Sequence, residues 1–256
     1  MKARCSEMYK TWLILRHYFK RATLDGVGLL FLILLPLGIL VLNVHIFGYN
    51  TEPVMIGGYD VVATQVSMVV MVMFQFFGGM YIGEWIYDDF RGDQRWRLFS
   101  APVTQNRIIF AAAIASWLFT VVQGALIIAV TALFFDAYWG NFLFWIPTLF
   151  LLSAISQFMH ITISLFARKK KTAQTIGFIT VFSMAYMGGV FIEHGARIQE
   201  VLVRIPTPLS AGIRAIRLSG ITGDNTRLAL ESMLILLAML TALIVVSAIA
   251  GRLRKA

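Results

Sequence analysis

The chain predicts an all-α integral membrane protein with six transmembrane helices, on three observations. Six stretches of at least 20 residues contain no Asp, Glu, Lys or Arg, and 59% of the 256 residues are hydrophobic. A helix rises about 1.5 Å per residue, so roughly 20 apolar residues cross the ~30 Å hydrocarbon core. Third, the basic residues alternate between loops. The segment 1–25 holds six, loop 84–107 four, loop 167–172 four and the tail three, which is 17 of the 22 Lys and Arg. Loops 48–60 and 136–141 hold none. Basic residues near span ends stay in the cytoplasm, so both termini are expected inside.

Residues 1–25 read as an amphipathic interfacial helix. Met8, Trp12, Leu15, Phe19 and Ala22 share one face and Lys10, His17 and Arg21 the other, which suits the cytoplasmic surface of a bilayer. The chain then turns inward at Asp25-Gly26 into span one, 27–47. Spans two to six are expected at 61–83, 108–135, 142–166, 172–192 and 229–251, with a short aromatic outer turn, Tyr138 to Asn141, between three and four. Pro36 and Pro147 fall inside spans one and four, where neighbouring helices must satisfy the carbonyls they free. Gly78-Gly79, Gly83 and Gly188-Gly189 mark close approaches between helices. The whole chain, 1–256, reads as one transmembrane domain.

Several activities are disfavoured. No span carries an acidic or basic residue at its centre, which argues against ion-coupled transport. The span histidines, His45 and His160, lie on separate helices and suit helix–helix hydrogen bonding better than catalysis. Glu193 and His194 are adjacent, so they point to different faces and make a poor metal site. No lysine follows a glycine, so a Walker phosphate loop is absent and the chain is not expected to hydrolyse ATP itself. With one cysteine, Cys5, no intrachain disulfide forms. The net charge of +9 is accounted for by the membrane pattern rather than by nucleic acid.

The most distinctive polar segment is 84–107. It is strongly charged, carries Phe90, Trp96 and Phe99, and reaches a proline at Pro102, after which Thr104 is placed to cap span three. So many aromatics on a charged loop call for a partner or a bilayer to bury them. A second constellation is the mixture of polar, thioether and aromatic residues on spans two and five. Adaptable apolar contacts beside isolated hydrogen-bonding groups suit an amphipathic ligand, and Gln75, Phe76, Met184 and Tyr186 are the candidate path residues.

Acidic residues leaving span two, then Arg91-Gly92, a short amphipathic helix and Ser100-Ala101-Pro102-Val103-Thr104, resemble the permease subunits of ABC-2 type transporters. Arg204-Ile205-Pro206-Thr207-Pro208-Leu209, with Arg214 and Arg217 beyond, resembles the outer proline segment of the same family. Asp93 and Arg95 depart from the usual Thr and Glu, and the loop is one residue longer. The resemblance implies that Asp88, Asp89, Phe90, Arg91, Gly92, Trp96 and Phe99 couple the permease to a separate ABC ATPase, two copies of which bind ATP and Mg while this chain binds no cofactor. It also implies a homodimer or a heterodimer with a similar permease, spans two and five at the dimer interface, and a bacterial or archaeal cytoplasmic membrane. It turns 193–227, whose five arginines break the charge pattern, into an outer re-entrant hairpin with arginines snorkelling to lipid phosphates. The implied function is export of an amphipathic drug, peptide antibiotic, lipid or lipid-linked glycan. The alternatives are a non-transporting anchor or sensor subunit and, further off, an intramembrane lipid-modifying enzyme.

Overall fold

The computed structural model describes residues 2–49, 55–56, 58–93, 95–100, 103–188, 206–219 and 225–253. Residues 193–205 and 220–224 of the expected hairpin, with Glu193 and His194, lie outside the described residues. Helix α1 spans Lys2–Leu24. Span one follows as α2 (Gly26–Leu29), a π-helical turn (Leu30–Leu34) and α3 (Leu35–Tyr49). A two-residue hairpin, β1 (Met55–Ile56) paired antiparallel with β2 (Tyr59–Asp60), leads into α4 (Val61–Gly78) and α5 (Met80–Arg91). Then come α6 (Arg95–Phe99), α7 (Gln105–Phe134), α8 (Phe142–Phe166), α9 (Lys170–Met187), α10 (Pro208–Arg217) and α11 (Thr226–Leu253).

Five of the described helical segments are long and apolar enough to cross a membrane: Gly26–Asn43, Val61–Arg91, Gln105–Phe134, Phe142–Phe166 and Thr226–Gly251. The chain is therefore a multi-pass, all-α membrane protein. The expected fifth span corresponds to α9, which opens on two lysines and has four of its expected residues, 189–192, outside the described set.

Side chains at the turns explain where the helices start. Asp25 accepts from the Gly28 amide at 3.2 Å, Asp60 from Val62 and Ala63 at 2.8 and 3.1 Å, and Asn141 from Leu143 at 2.9 Å. Thr104 does stand at the start of α7, but its side chain makes no capping bond, contrary to the sequence expectation. At Pro36 the expectation of a neighbour's help holds. Pro36 has no N–H to offer the Leu32 carbonyl four residues back, the helix widens into the π turn just before it, and Gln123 on α7 donates to that carbonyl at 2.8 Å.

The core is built around span two. In its most apolar window 67% of residues are buried within the single chain, against 17% for span one and 11% for span six. The resemblance puts span two at a dimer interface; within the protomer α4 is enclosed by α7, α8, α3, α9 and α10, and spans one and six carry more open surface. On α1 the predicted apolar face holds at Leu15, Phe19 and Ala22, which pack on protein, and gains Tyr18 and Ile14. Tyr18 and Ala22 are buried and Ile14, Leu15 and Phe19 pack against the core, with α1 lying along α7, whereas Met8, Tyr9 and Trp12 stay exposed.

Candidate functional site

The residues expected to couple the chain to a partner lie at and just beyond the C-terminal end of span two. Trp96 and Phe99 fall on α6, while Asp88, Asp89, Phe90 and Arg91 are carried by α5, so helix continues past Glu84, where the sequence predicts the loop to begin. On this helix Glu84, Asp88 and Arg91 recur at helical spacing, so they project toward the same neighbours. Lys170, at the start of α9, pairs with Glu84 and reaches both oxygens of Asp88 at 3.0 and 3.2 Å. Burial alone would lower the Lys170 pKa, but Glu84 and Asp88 outweigh it and hold the ammonium above the ordinary lysine value.

Asp88 and Asp89 also anchor α1. Arg21 spans the pair, with Nη2 3.2 Å from Asp88 and Nη1 3.0 Å from Asp89. Tyr18 donates its hydroxyl to Asp89 at 2.5 Å in a buried contact. Burial, with the adjacent carboxylate, keeps the Tyr18 phenol far above its ordinary range, so it remains a donor at any physiological pH. Trp85 lies beneath this junction, its ring 5.2 Å from Tyr18 and 5.9 Å from the Arg21 guanidinium.

A third neighbour is the end of α8. The last carbonyls of a helix have no partner within it. Tyr87 donates to the Ala167 and Ser164 carbonyls, and Arg91 reaches the same two at 2.8 and 3.4 Å while its guanidinium covers the Tyr87 ring at 4.4 Å. Gly92 then turns the chain sharply, because a Cβ there would stand 2.3 Å from the Asp88 carbonyl oxygen. Beyond the turn, α6 presents Trp96, which is 67% exposed and has the Arg95 guanidinium over its ring at 4.8 Å. Phe90 faces inward against the core, so it is placed for packing rather than for a partner. The side chain of Phe99 lies outside the described residues.

Sequence reasoning found Asp88, Asp89 and Arg91 but not their partners Tyr18, Arg21, Lys170 and Ser164, which lie 67 to 82 residues away. The one available signal was the charge complement: an acidic pair on span two amid basic residues in segment 1–25 and loop 167–172.

The candidate path residues separate. Gln75 is fully buried, donating to the Thr120 carbonyl at 3.2 Å and accepting from Ser153 at 2.6 Å, so its amide ties α4 to α7 and α8. Phe76 is also fully buried. Met184 is half-buried against the core and Tyr186 is 41% exposed, both near the C-terminal end of α9. Just beside them α10 buries Leu209, Ala211, Gly212, Ala215 and Ile216 against α8, α11 and α4, and turns Arg214 and Arg217 outward. Its start is fixed by a reciprocal Thr207–Ser210 capping box. A Cβ on Gly212 would meet the Leu152 side chain at 2.8 Å, and Leu152 is ten residues, or about 15 Å, inside the start of α8. A cleft of about 470 Å³ opens among Ser210, Arg214, Arg217, Ser232 and the end of α9 at Gly188.

A family model described as ABC-2 family transporter protein matches residues 56–249, about three quarters of the chain. Among curated proteins none matches.

Proposed function

The chain belongs to the ABC-2 transporter family, and from that premise we propose that it is the permease subunit of an ATP-driven exporter in a bacterial or archaeal cytoplasmic membrane. Members of this family generally work with an ABC ATPase subunit. The observation that carries the reading is the reach of span two. Helix α4, the protomer's most enclosed segment, is followed after the single residue Gly79 by α5, which leads to the turn at Gly92, beyond which α6 holds Trp96 out to solvent.

Two copies, or this chain and a similar one, sit above two ATPases, with termini and α6 on the cytoplasmic side. Trp96 is the anchor for the ATPase groove, because buried aromatics dominate association energies. Asp88, Asp89, Arg91 and Gly92 act one step back: they bind α1, α9 and α8 to α5, so a displacement of α6 is passed to three helices together. Contact alone shifts no equilibrium; the ATPase must hold this end differently in its two nucleotide states.

Helix α10 dips into the outer leaflet, and the depth of Gly212 against Leu152 supports this. The substrate is amphipathic and passes beside Met184 and Tyr186, with Gln75 and Phe76 shaping the path from behind through packing. ATP hydrolysis takes place in the partner. The test is copurification with the ATPase encoded beside it, followed by ATPase turnover in proteoliposomes. Stimulation by amphipathic drugs or lipid-linked glycans supports export. An ATPase that binds but responds to none of them makes the chain an anchor, and failure of any ATPase to bind sinks the reading.

A further inference from the structure

Span two is interrupted, and the interruption is bridged from another helix. Between α4 and α5 lies Gly79, whose amide donates to the Ser156 hydroxyl on α8 at 3.0 Å. That hydroxyl donates in turn to the Phe76 carbonyl at 2.8 Å. His160, one turn further along α8, places Nε2 3.0 Å from the same carbonyl. A carbonyl only accepts, so Nε2 carries the proton and donates. Two side chains of α8 thus occupy backbone groups that an unbroken helix would pair internally.

The helices are close enough here to exclude any side chain. A Cβ on Gly79 would lie 2.4 Å from Ser156 Oγ and 2.5 Å from the Ser156 carbonyl oxygen, and one on Gly83 would lie 2.8 Å from Ser164 Oγ. On the far side of His160, a Cβ on Gly177 of α9 would lie 2.7 Å from its ring. Gly79 at the break and Gly83 and Tyr87 on α5 therefore follow Ser156, His160 and Ser164 on α8 in four-residue steps along parallel helices. Below the break, a small cavity of about 10 Å³, room for about one water, lies between α5, α8 and α9 beside His160, Gly83, Glu84 and Lys170.

We propose that Ser156 and His160 are positioning residues of a hinge at Gly79, through which the displacement of α5 is converted into a change in the transmembrane helices. The inference rests on the exporter reading, since it needs an ATPase to move α5. The cytoplasmic end of α5 is gripped by α1, α9 and the end of α8, so motion imposed there has to be absorbed higher up. At Gly79 the amide bonds to the Ser156 side chain instead of to the carbonyl four residues back, and the Gly79 carbonyl holds the Gly83 amide only at 3.5 Å, so the ladder is weakest there. Its substitute bonds come from side chains, which can release and re-form as α5 tilts, whereas a continuous backbone ladder would resist bending along its whole length. Ser156 and His160 set the resting angle, and their bonds are the ones exchanged in the transition.

The experiment uses the complex with its copurified ATPase in lipid nanodiscs. Spin labels go on cysteines replacing Asp93, just past α5, and Phe142, at the outer start of α8, with Cys5→Ser, and labelled chains are diluted into unlabelled ones. Distances are read without nucleotide and with ATP plus vanadate. The wild-type sequence is expected to show two distances whose ratio depends on nucleotide. An interhelical hydrogen bond in a membrane is worth ~0.6 kcal/mol on average, about threefold in a population. Ser156→Ala and His160→Leu are therefore expected to shift the ratio away from the bonded conformation by about threefold for each bond lost. His160→Gln, which keeps a donor, stays near wild type. Thr162→Val, which removes the 2.6 Å bond from α8 to Ser247 on α11, leaves the ratio unchanged. An unchanged ratio in Ser156→Ala and His160→Leu, or an equal shift in Thr162→Val, overturns the hinge while leaving the exporter standing. A wild-type distance that ignores nucleotide does the same. Absence of any ATPase from the purified wild-type chain overturns the exporter and the hinge with it, before a variant is made.

Discussion

Replacing Asp89 with alanine tests the junction at the base of span two most directly. The change removes the acceptor for the Tyr18 hydroxyl and one of the two carboxylates that hold Arg21. A hydrogen bond to a charged group contributes about 1.5–3 kcal/mol, and here the orphaned Tyr18 hydroxyl remains in a buried position. The Arg21 contact adds little: the guanidinium is a third exposed and keeps Asp88 at 3.2 Å, so a few tenths of a kcal/mol is a fair share. The total of about 2–3 kcal/mol raises the undocked population of α1 about 30- to 140-fold. Undocking is read from the modification rate of a cysteine at Ala22, which is fully buried against α7, in Cys5→Ser protein held in nanodiscs. The extra sulfur at this position is common to all variants and cancels. Asp89→Asn still accepts from Tyr18 without the charge, so its rate falls between. Tyr18→Phe loses the same bond, and combining it with Asp89→Ala adds less than the sum of the two. Modification rates within twofold of wild type for Asp89→Ala would refute the claim that this carboxylate holds α1.

Trp96→Ala is expected to weaken copurification of the ATPase by about 2 kcal/mol, roughly thirtyfold in Kd, with membrane insertion unchanged; an unaltered Kd makes Trp96 a bilayer anchor. Gly79→Ala forces a methyl against the Ser156 backbone, so the thermal midpoint in detergent should drop by several degrees, whereas Gly38→Ala meets nothing within 4 Å and should leave it unchanged. Cysteines at Phe142 and Lys169 place the outer and inner ends of α8: an impermeant thiol reagent should label the first and spare the second in intact cells, and the reverse pattern inverts the topology. Substitutions at Met184 and Tyr186 should change which amphipathic compounds stimulate the ATPase while its binding stays intact; equal loss of response to all of them removes these residues from the path.

The parts legible in the sequence were those in which one residue decides something locally. Runs of uncharged residues had to become spans because nothing else hides backbone amides from lipid. Asp25 and the turn at Asn141 mark helix starts that the structure reproduces. Pro36 announced a carbonyl in need of a donor. What it could not announce was the donor's identity, because Gln123 is 91 residues from Leu32 and nothing in either neighbourhood refers to the other. The same limit hid the partners of Asp88 and Asp89. The apolar face of α1 was legible at Leu15, Phe19 and Ala22 but not at Tyr18, whose inward position depends on distant groups: its hydroxyl finds a carboxylate and its ring finds Trp85.

Gln75 shows why polarity within a span is a weak guide to a substrate path. An amide in the hydrocarbon region must be hydrogen-bonded whether or not a substrate passes, and neighbouring helices offer carbonyls and hydroxyls at every turn. Gln75 uses Thr120 and Ser153, Gln157 donates to Thr120, and His160 uses Phe76, so these three polar side chains are held by neighbouring helices rather than by a substrate. A residue kept for substrate has to be polar and also leave surface open to the bilayer or to a second copy. Tyr186 meets both conditions and Gln75 only the first. Among the four candidates it is therefore Tyr186, rather than the core-packed Met184 two residues before it, where a change in side chain can alter what is carried without first loosening the core that carries it.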